Sequence, residues 1–99
     1  MHNLHAPETD RLFRAVLELK TIEECYDFFE DLCTVKELRD LSQRLEVAAL
    51  LREGDSYQTI AQKTLVSSAT IGRVNRALRY GSGGYRRMLS RLDGEEKSE

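Results

Sequence analysis

The chain lacks any long apolar run: the longest, Val47 to Leu51, is five residues, where a bilayer-spanning helix needs roughly 20. No membrane contact is expected. No basic stretch precedes an apolar one in residues 1–12, so no secretory signal is expected and the reading is cytoplasmic. There are two cysteines, Cys25 and Cys33, eight positions apart, which fits neither a zinc site nor a redox pair. They read as reduced, partly buried thiols. The two histidines, His2 and His5, form an H-x-x-H spacing in a tail with no further ligand beside it, so no metal is expected. The serines and Tyr57 have no histidine–carboxylate company to activate a nucleophile. There is no P-loop, and 99 residues leave too little chain for a typical catalytic α/β fold. No enzyme and no cofactor are expected; one small binding domain is.

The most informative absence is of carboxylates. The net charge is −2, yet residues 56–92 hold seven basic side chains and no acidic one: Lys63, Arg73, Arg76, Arg79, Arg86, Arg87 and Arg91. Residues 1–55 hold seven basic and 13 acidic ones, and residues 93–99 hold one and four. Segregation of this kind points to a polyanionic partner. A solvated helical face that happens to be basic is the plain alternative.

Strict alternation of apolar and polar residues never lasts, so no strand competes with a helical reading. Pro7, Glu8 and Asp10 suit the first turn of a helix whose apolar positions Leu12, Phe13, Val16, Leu17 and Leu19 carry it to about Lys20. Thr21-Ile22-Glu23-Glu24 is a capping box opening a second helix, and Thr34-Val35-Lys36-Glu37 opens a third. Gly54 ends the third helix as its C-cap. The first two helices are apolar on more than one stripe: Tyr26 lies about 200° of helix from Phe28. A homodimer that covers both sides is therefore expected over a monomer.

Asp55 and Ser56 offer the cap of a fourth helix over Tyr57 to Thr64, Leu65-Val66-Ser67 a turn, and Ser67 or Ser68 the cap of a fifth helix reaching about Arg79. Gly81-Ser82-Gly83-Gly84 breaks the chain. Tyr85 to Leu92 makes a short basic helix, followed by a polar tail. Two short helices, a tight turn and an arginine-rich second helix describe a helix-turn-helix. Ile60, Ala61, Val66, Ile71, Val74 and Leu78 fit its inward positions. Ser68, Ala69, Gly72, Arg73, Asn75, Arg76 and Arg79 are left facing out. Leu65 stands where a turn glycine is usual. A left-handed backbone costs leucine about 1–2 kcal/mol, so a departure from the usual turn stays open. A plain helical hairpin is the competing reading.

Residues from about Leu41 to Leu78 resemble the Trp repressor, in Leu41-x-x-Arg44, Leu50-Leu51-Arg52 and Ala69-Thr70-Ile71-x-Arg73. A closer match covers nearly the whole chain. It runs through Glu24-Cys25-Tyr26-Asp27-Phe28-Phe29-Glu30-Asp31-Leu32-Cys33-Thr34, Gln43-Arg44-Leu45-Glu46-Val47-Ala48 and Leu51-Arg52-Glu53-Gly54. Ala69-Thr70-Ile71-x-Arg73-Val74-x-Arg76 and Tyr80-Gly81 continue it. These stretches look like the YerC/YecD branch of Trp-repressor-like proteins. The resemblance implies an all-α, six-helix, intertwined homodimer with a helix-turn-helix, and a regulator of transcription that binds double-stranded DNA. In one domain of 1–99, residues 8–55 would dimerise, 56–80 form the helix-turn-helix, 85–92 the last helix and 93–99 a tail.

On this reading the DNA-facing residues are Gln58, Lys63, Ser67, Ser68, Ala69, Thr70, Gly72, Arg73, Arg76 and Arg79, with Arg76 and Arg79 on phosphates. Small outward residues suit readout through water and DNA shape, for which the Trp repressor is itself the standard example. Arg44, Thr70 and Arg73 match the repressor's tryptophan-pocket residues. Val74, however, replaces a glycine that makes room for the indole, and Ala77 replaces a serine near the ligand's polar end. Tryptophan is therefore not expected to bind, and Arg44 is expected to pair with a carboxylate of a neighbouring helix. Two rival functions stay open: a protein–protein module of the transcription machinery, and a repressor gated by another metabolite.

Overall fold

The computed structural model describes residues 5–97, with side chains described for residues 5–94. The described chain is all-α: α1 (Pro7–Leu17), α2 (Ile22–Leu32), α3 (Val35–Arg52), α4 (Tyr57–Thr64), α5 (Ser68–Tyr80) and α6 (Gly84–Lys97). His2 of the H-x-x-H spacing lies outside the described residues.

Local signals account for most helix ends. Pro7 occupies the first position of α1, where its missing N–H costs nothing. That helix stops at Leu17, three residues before the expected Lys20, with the amides of Glu18 and Leu19 closing tight turns onto Ala15 and Val16. Thr34 and Glu37 form the expected reciprocal box: the Glu37 amide donates to Thr34 Oγ1 at 3.1 Å and the Thr34 amide to Glu37 Oε1 at 2.8 Å. The box at Thr21 is stretched by one residue. Thr21 Oγ1 accepts from the Glu24 amide at 3.0 Å, but Glu24 Oε1 reaches past Thr21 to the Lys20 amide at 2.9 Å. Gly54, at φ 98°, ends α3 as expected. The Gly54 amide donates to the Leu51 carbonyl and the Asp55 amide to that of Leu50, the paired bonds of a Schellman cap.

The chain divides into two units, Met1–Leu38 and Arg39–Glu99. In the first unit α1 and α2 contain no buried residue. Phe28 and Phe29 meet edge to face with centroids 5.7 Å apart, and Cys25 and Cys33 are free, half-buried thiols. The second unit holds the core: Val47, Ala48 and Leu50 of α3, Ile60 of α4, Val66 of the turn, Ile71 and Val74 of α5, and Leu89 of α6. Ile60, Ile71 and Val47 are its largest fully buried side chains, each stabilising by about 1.5–3 kcal/mol relative to exposure.

α6 corrects the expected limits. It begins at Gly84 and runs to Lys97, where the sequence suggested a helix over 85–92 and a loose tail. Nothing in Asp93-Gly94-Glu95-Glu96-Lys97 forbids a helix, since one glycine costs only about 1 kcal/mol. Asp93 also has a partner to hold it, the Arg52 guanidinium at 2.9 Å.

Candidate nucleic-acid interface

α4, the turn and α5 have the order and lengths of a helix-turn-helix. Ser56 caps α4 by accepting from the Thr59 amide at 3.2 Å, and Ser67 caps α5 by accepting from the Thr70 amide at 3.2 Å. Between them Leu65 sits at φ 59°, ψ 22°, the left-handed region, its amide donating to the Ala61 carbonyl at 2.9 Å. The departure left open at this position does not occur. The turn keeps the left-handed geometry and carries the strain on a leucine, the only non-glycine residue with positive φ among those described. Thr64 locks the same turn: its hydroxyl donates to the Ile60 carbonyl at 2.7 Å and accepts from the Val66 amide at 3.3 Å.

The inward positions are filled as their spacing requires. Ile60, Val66, Ile71 and Val74 are buried, and Ala61 and Leu78 are half-buried beside them. On α5 this leaves Ser68, Ala69, Arg73, Arg76 and Arg79 exposed. Gly72 and Asn75 are half-buried, less open than the outward reading had them, and the DNA-facing candidate Thr70 is half-buried too. A Cβ at Gly72 would lie 4.0 Å from the Tyr57 ring, an ordinary contact, so packing between α4 and α5 does not require glycine there.

Several candidate side chains are already engaged. Ser67 donates its hydroxyl to Thr70 Oγ1 at 3.1 Å, so both belong to the α5 cap. Lys63 Nζ lies 3.0 Å from Asp55 Oδ2. The hydrogen bond to Asp55, and then that carboxylate's charge, raise the Lys63 pKa above its ordinary 10.5, with Glu53 and Glu46 adding to the effect. Arg79 Nε donates to Asn75 Oδ1 at 3.0 Å, one helical turn back, which steadies the guanidinium without neutralising it. Among the described residues, Arg73 and Arg76 have no carboxylate partner. Gln58 is exposed on α4. Sequence reasoning missed the Asp55–Lys63 and Asn75–Arg79 pairs, although the latter's spacing of four on a helix was a usable signal.

The residues matching a tryptophan pocket fare differently. Val74 is only 2% exposed and belongs to the core, so its side chain occupies space that a glycine would leave open. Arg44 is half-buried, and among the described residues it has no carboxylate partner. The salt bridge expected of it is therefore not formed among them: which carboxylate comes within reach of a half-buried arginine is set by tertiary placement. Ala77 lines an apolar cleft of about 430 Å³ with Leu45, Tyr85 and Met88, and Arg44, Thr70 and Arg73 do not line it.

Comparison with known proteins agrees with this geometry. The chain is 52% identical over 89 residues to the uncharacterised protein YerC of Bacillus subtilis (strain 168), covering 90% of this chain and 86% of YerC. It is 53% identical to a TrpR-like protein of Eubacterium eligens ATCC 27750, whose crystal structure superposes with a TM-score of 0.89 over 91% of this chain and 93% of that one. A crystal structure from Staphylococcus aureus is 48% identical, with a TM-score of 0.88 over 91% and 90% of the two chains. The family described as Trp repressor protein matches residues 7–93. The chain belongs to the Trp repressor family, in its YerC-like branch.

Proposed function

We propose that this protein is a cytoplasmic, sequence-specific DNA-binding regulator of transcription, a repressor that engages duplex DNA as a homodimer through α5. Its family is a regulatory, non-enzymatic class of DNA-binding kind. The observation that carries the reading is the exposed face of α5. It presents Arg73, Arg76 and Arg79 within a 37-residue stretch, 56–92, that holds no carboxylate. Small Ser68 and Ala69 at the N-terminal end of the same face permit close approach to a groove. The homodimer rests on the first unit, where Leu17 is 81% and Ile22 75% exposed and no side chain of α1 or α2 is buried.

The roles of the α5 residues divide by position. Arg76 and Arg79 hold phosphates, whereas Arg73, Ser68, Ala69 and Thr70 lie near the helix start, where base edges are met. Gln58, Ser67 and Gly72 line the approach. Lys63 reaches a phosphate only by leaving Asp55. Tryptophan is not the effector, because Val74 fills the position its indole would need.

Affinity for arbitrary duplex DNA, followed by fluorescence anisotropy as salt is raised, tests the reading. A steep negative slope of log affinity against log salt is expected, and a flat response would favour a protein–protein module. Arg79→Ala should weaken all sequences alike and lower the slope by about one unit. Arg73→Ala should cost about 1–3 kcal/mol mainly on the preferred site. Sedimentation equilibrium should give twice the chain mass, and a monomer at micromolar concentration would refute the dimer.

A further inference from the structure

A second feature borders the DNA-reading face of α5 and shares Arg79 with it. The C-terminal ends of α3 and α5 and the first turns of α6 enclose a cleft of about 350 Å³, lined by Leu51, Arg52, Leu78, Arg79, Arg86 and Ser90. Leu51 and Leu78 supply apolar surface, while three guanidiniums and a hydroxyl supply donors. That volume falls in the range of small-molecule sites, about 300–1,000 Å³. A concave cleft whose walls are part apolar and part cationic suits a compact ligand with a charged head.

Charge is what selects the ligand. Among the described residues, Arg79 and Arg86 have no carboxylate partner; Arg79 is hydrogen-bonded only to neutral Asn75. Arg52 is held by Asp93 at 2.9 Å, a surface pair with both side chains partly exposed. Such an exposed pair contributes little, so an incoming anion can displace it. We infer that this cleft is a binding site for a small organic anion, a phosphate or carboxylate head on a short apolar body. Arg86 and Arg79 hold the head, Leu51 and Leu78 contact the body, and Asp93 competes for Arg52. Binding itself does not depend on the DNA reading. A regulatory consequence does: Arg79 lies on the exposed face of α5, so an anion held there removes a cation from DNA and lowers operator affinity.

Phenyl phosphate serves as the probe, with benzyl alcohol and inorganic phosphate carrying its two halves separately. In amide NMR spectra of the full chain, phenyl phosphate should shift Leu51, Leu78, Arg86 and Ser90 saturably. Each half alone should bind at least about fivefold more weakly, since the alcohol loses the charge-assisted contacts and inorganic phosphate the apolar ones. Arg86→Gln should raise the probe's Kd by about fivefold, a charge-assisted bond discounted for exposure. Arg91→Gln, the same loss of charge outside the cleft, should leave it unchanged. Asp93→Asn should tighten the probe by freeing Arg52, a gain that a merely structural role would not produce. Equal weakening by Arg86→Gln and Arg91→Gln, or shifts spread over all arginines without saturation, would mean generic screening and overturn the site. So would duplex DNA shifting the cleft amides while phenyl phosphate does not, which would make the cleft a backbone-phosphate contact. Saturable probe binding with no effect on DNA affinity would keep the site and overturn only the regulatory step.

Discussion

Leu65 offers a direct energetic test of the helix-turn-helix geometry. Its backbone is left-handed, at φ 59° and ψ 22°, and its side chain is 89% exposed. An L-residue with a Cβ in this region costs about 1–2 kcal/mol. Glycine removes that cost but loses roughly 0.5–1 kcal/mol more backbone entropy on folding. Because so little of the leucine is buried, its removal forfeits almost no apolar contact. Leu65→Gly should therefore stabilise the protein by about 0.5–1 kcal/mol, the difference between those two terms. In a domain of this size that raises Tm by roughly 2–8 °C, measured by circular dichroism at equal chain concentration. Leu65→Asn should match it, since asparagine tolerates the left-handed region. Leu65→Ala separates strain from contact: it keeps the Cβ and removes the side chain, so Tm should hardly move. Leu65→Ile, β-branched at positive φ, should fall below the parent. A lower Tm for Leu65→Gly with a similar loss for Leu65→Ala would refute the reasoning, because it would mean that the leucine is covered in solution.

Gly72→Ala should stabilise by up to about 1 kcal/mol through helix propensity, since its Cβ meets only the Tyr57 ring at 4.0 Å. A simultaneous loss of DNA affinity would show that glycine serves close approach to DNA, and unchanged affinity would show that it does not. Gly81→Ala should lower the urea midpoint, because a Cβ there collides with the Ala77 carbonyl; overpacking of this kind costs about 1–3 kcal/mol. The Asp55 pairing raises the Lys63 pKa above 10.5, so the folded state keeps this proton to higher pH than the unfolded one. Its stabilisation is complete below the ordinary lysine pKa and is lost as pH rises through the raised value. Urea melts across the alkaline range should show a decline that Lys63→Met lacks, and identical declines would refute the assignment.

The legible parts of the fold are those governed by local chemistry. Thr34 with Glu37, Ser56, Ser67 and Gly54 each mark a helix end that one or two hydrogen bonds determine, and α4 spans Tyr57–Thr64 as its cap and turn required. The inward stripe Ile71, Val74 and Leu78 was equally legible, because a 3.6-residue period leaves few alternatives for apolar side chains. What escaped depended on contacts distant in sequence or on small energy differences. Asp93, just beyond Leu92 in α6, pairs with Arg52, 41 positions earlier, and no local pattern announces such a pair. Arg44 is an instructive miss. A half-buried arginine invites a carboxylate by default, but which carboxylate comes within reach is a matter of tertiary placement. The arginine cleft was visible only as scattered cations, since Arg52, Arg79 and Arg86 belong to three helices.

The distribution of burial bears on how the two halves are stabilised. Every buried side chain among the described residues lies between Val47 and Leu89. The helix-turn-helix thus shares one core with the end of α3 and with α6, built around Ile60, Val66 and Ile71. α1 and α2, 11 residues each, have none, and isolated helices shorter than about 12–15 residues are marginal in water. Capping at Thr21, which contributes about 1 kcal/mol, cannot offset the ordering entropy of such a segment. Its stability must come from whatever covers Phe13, Leu17, Ile22 and Tyr26, all exposed in the single chain. In the proposed dimer that cover is the second copy, so folding of α1 and α2 and association are one equilibrium. The unit from Arg39 onward, which holds the buried core, would then keep its DNA-reading geometry independently of it. Pairing two copies would add affinity by multiplying phosphate contacts, not by creating the reading surface.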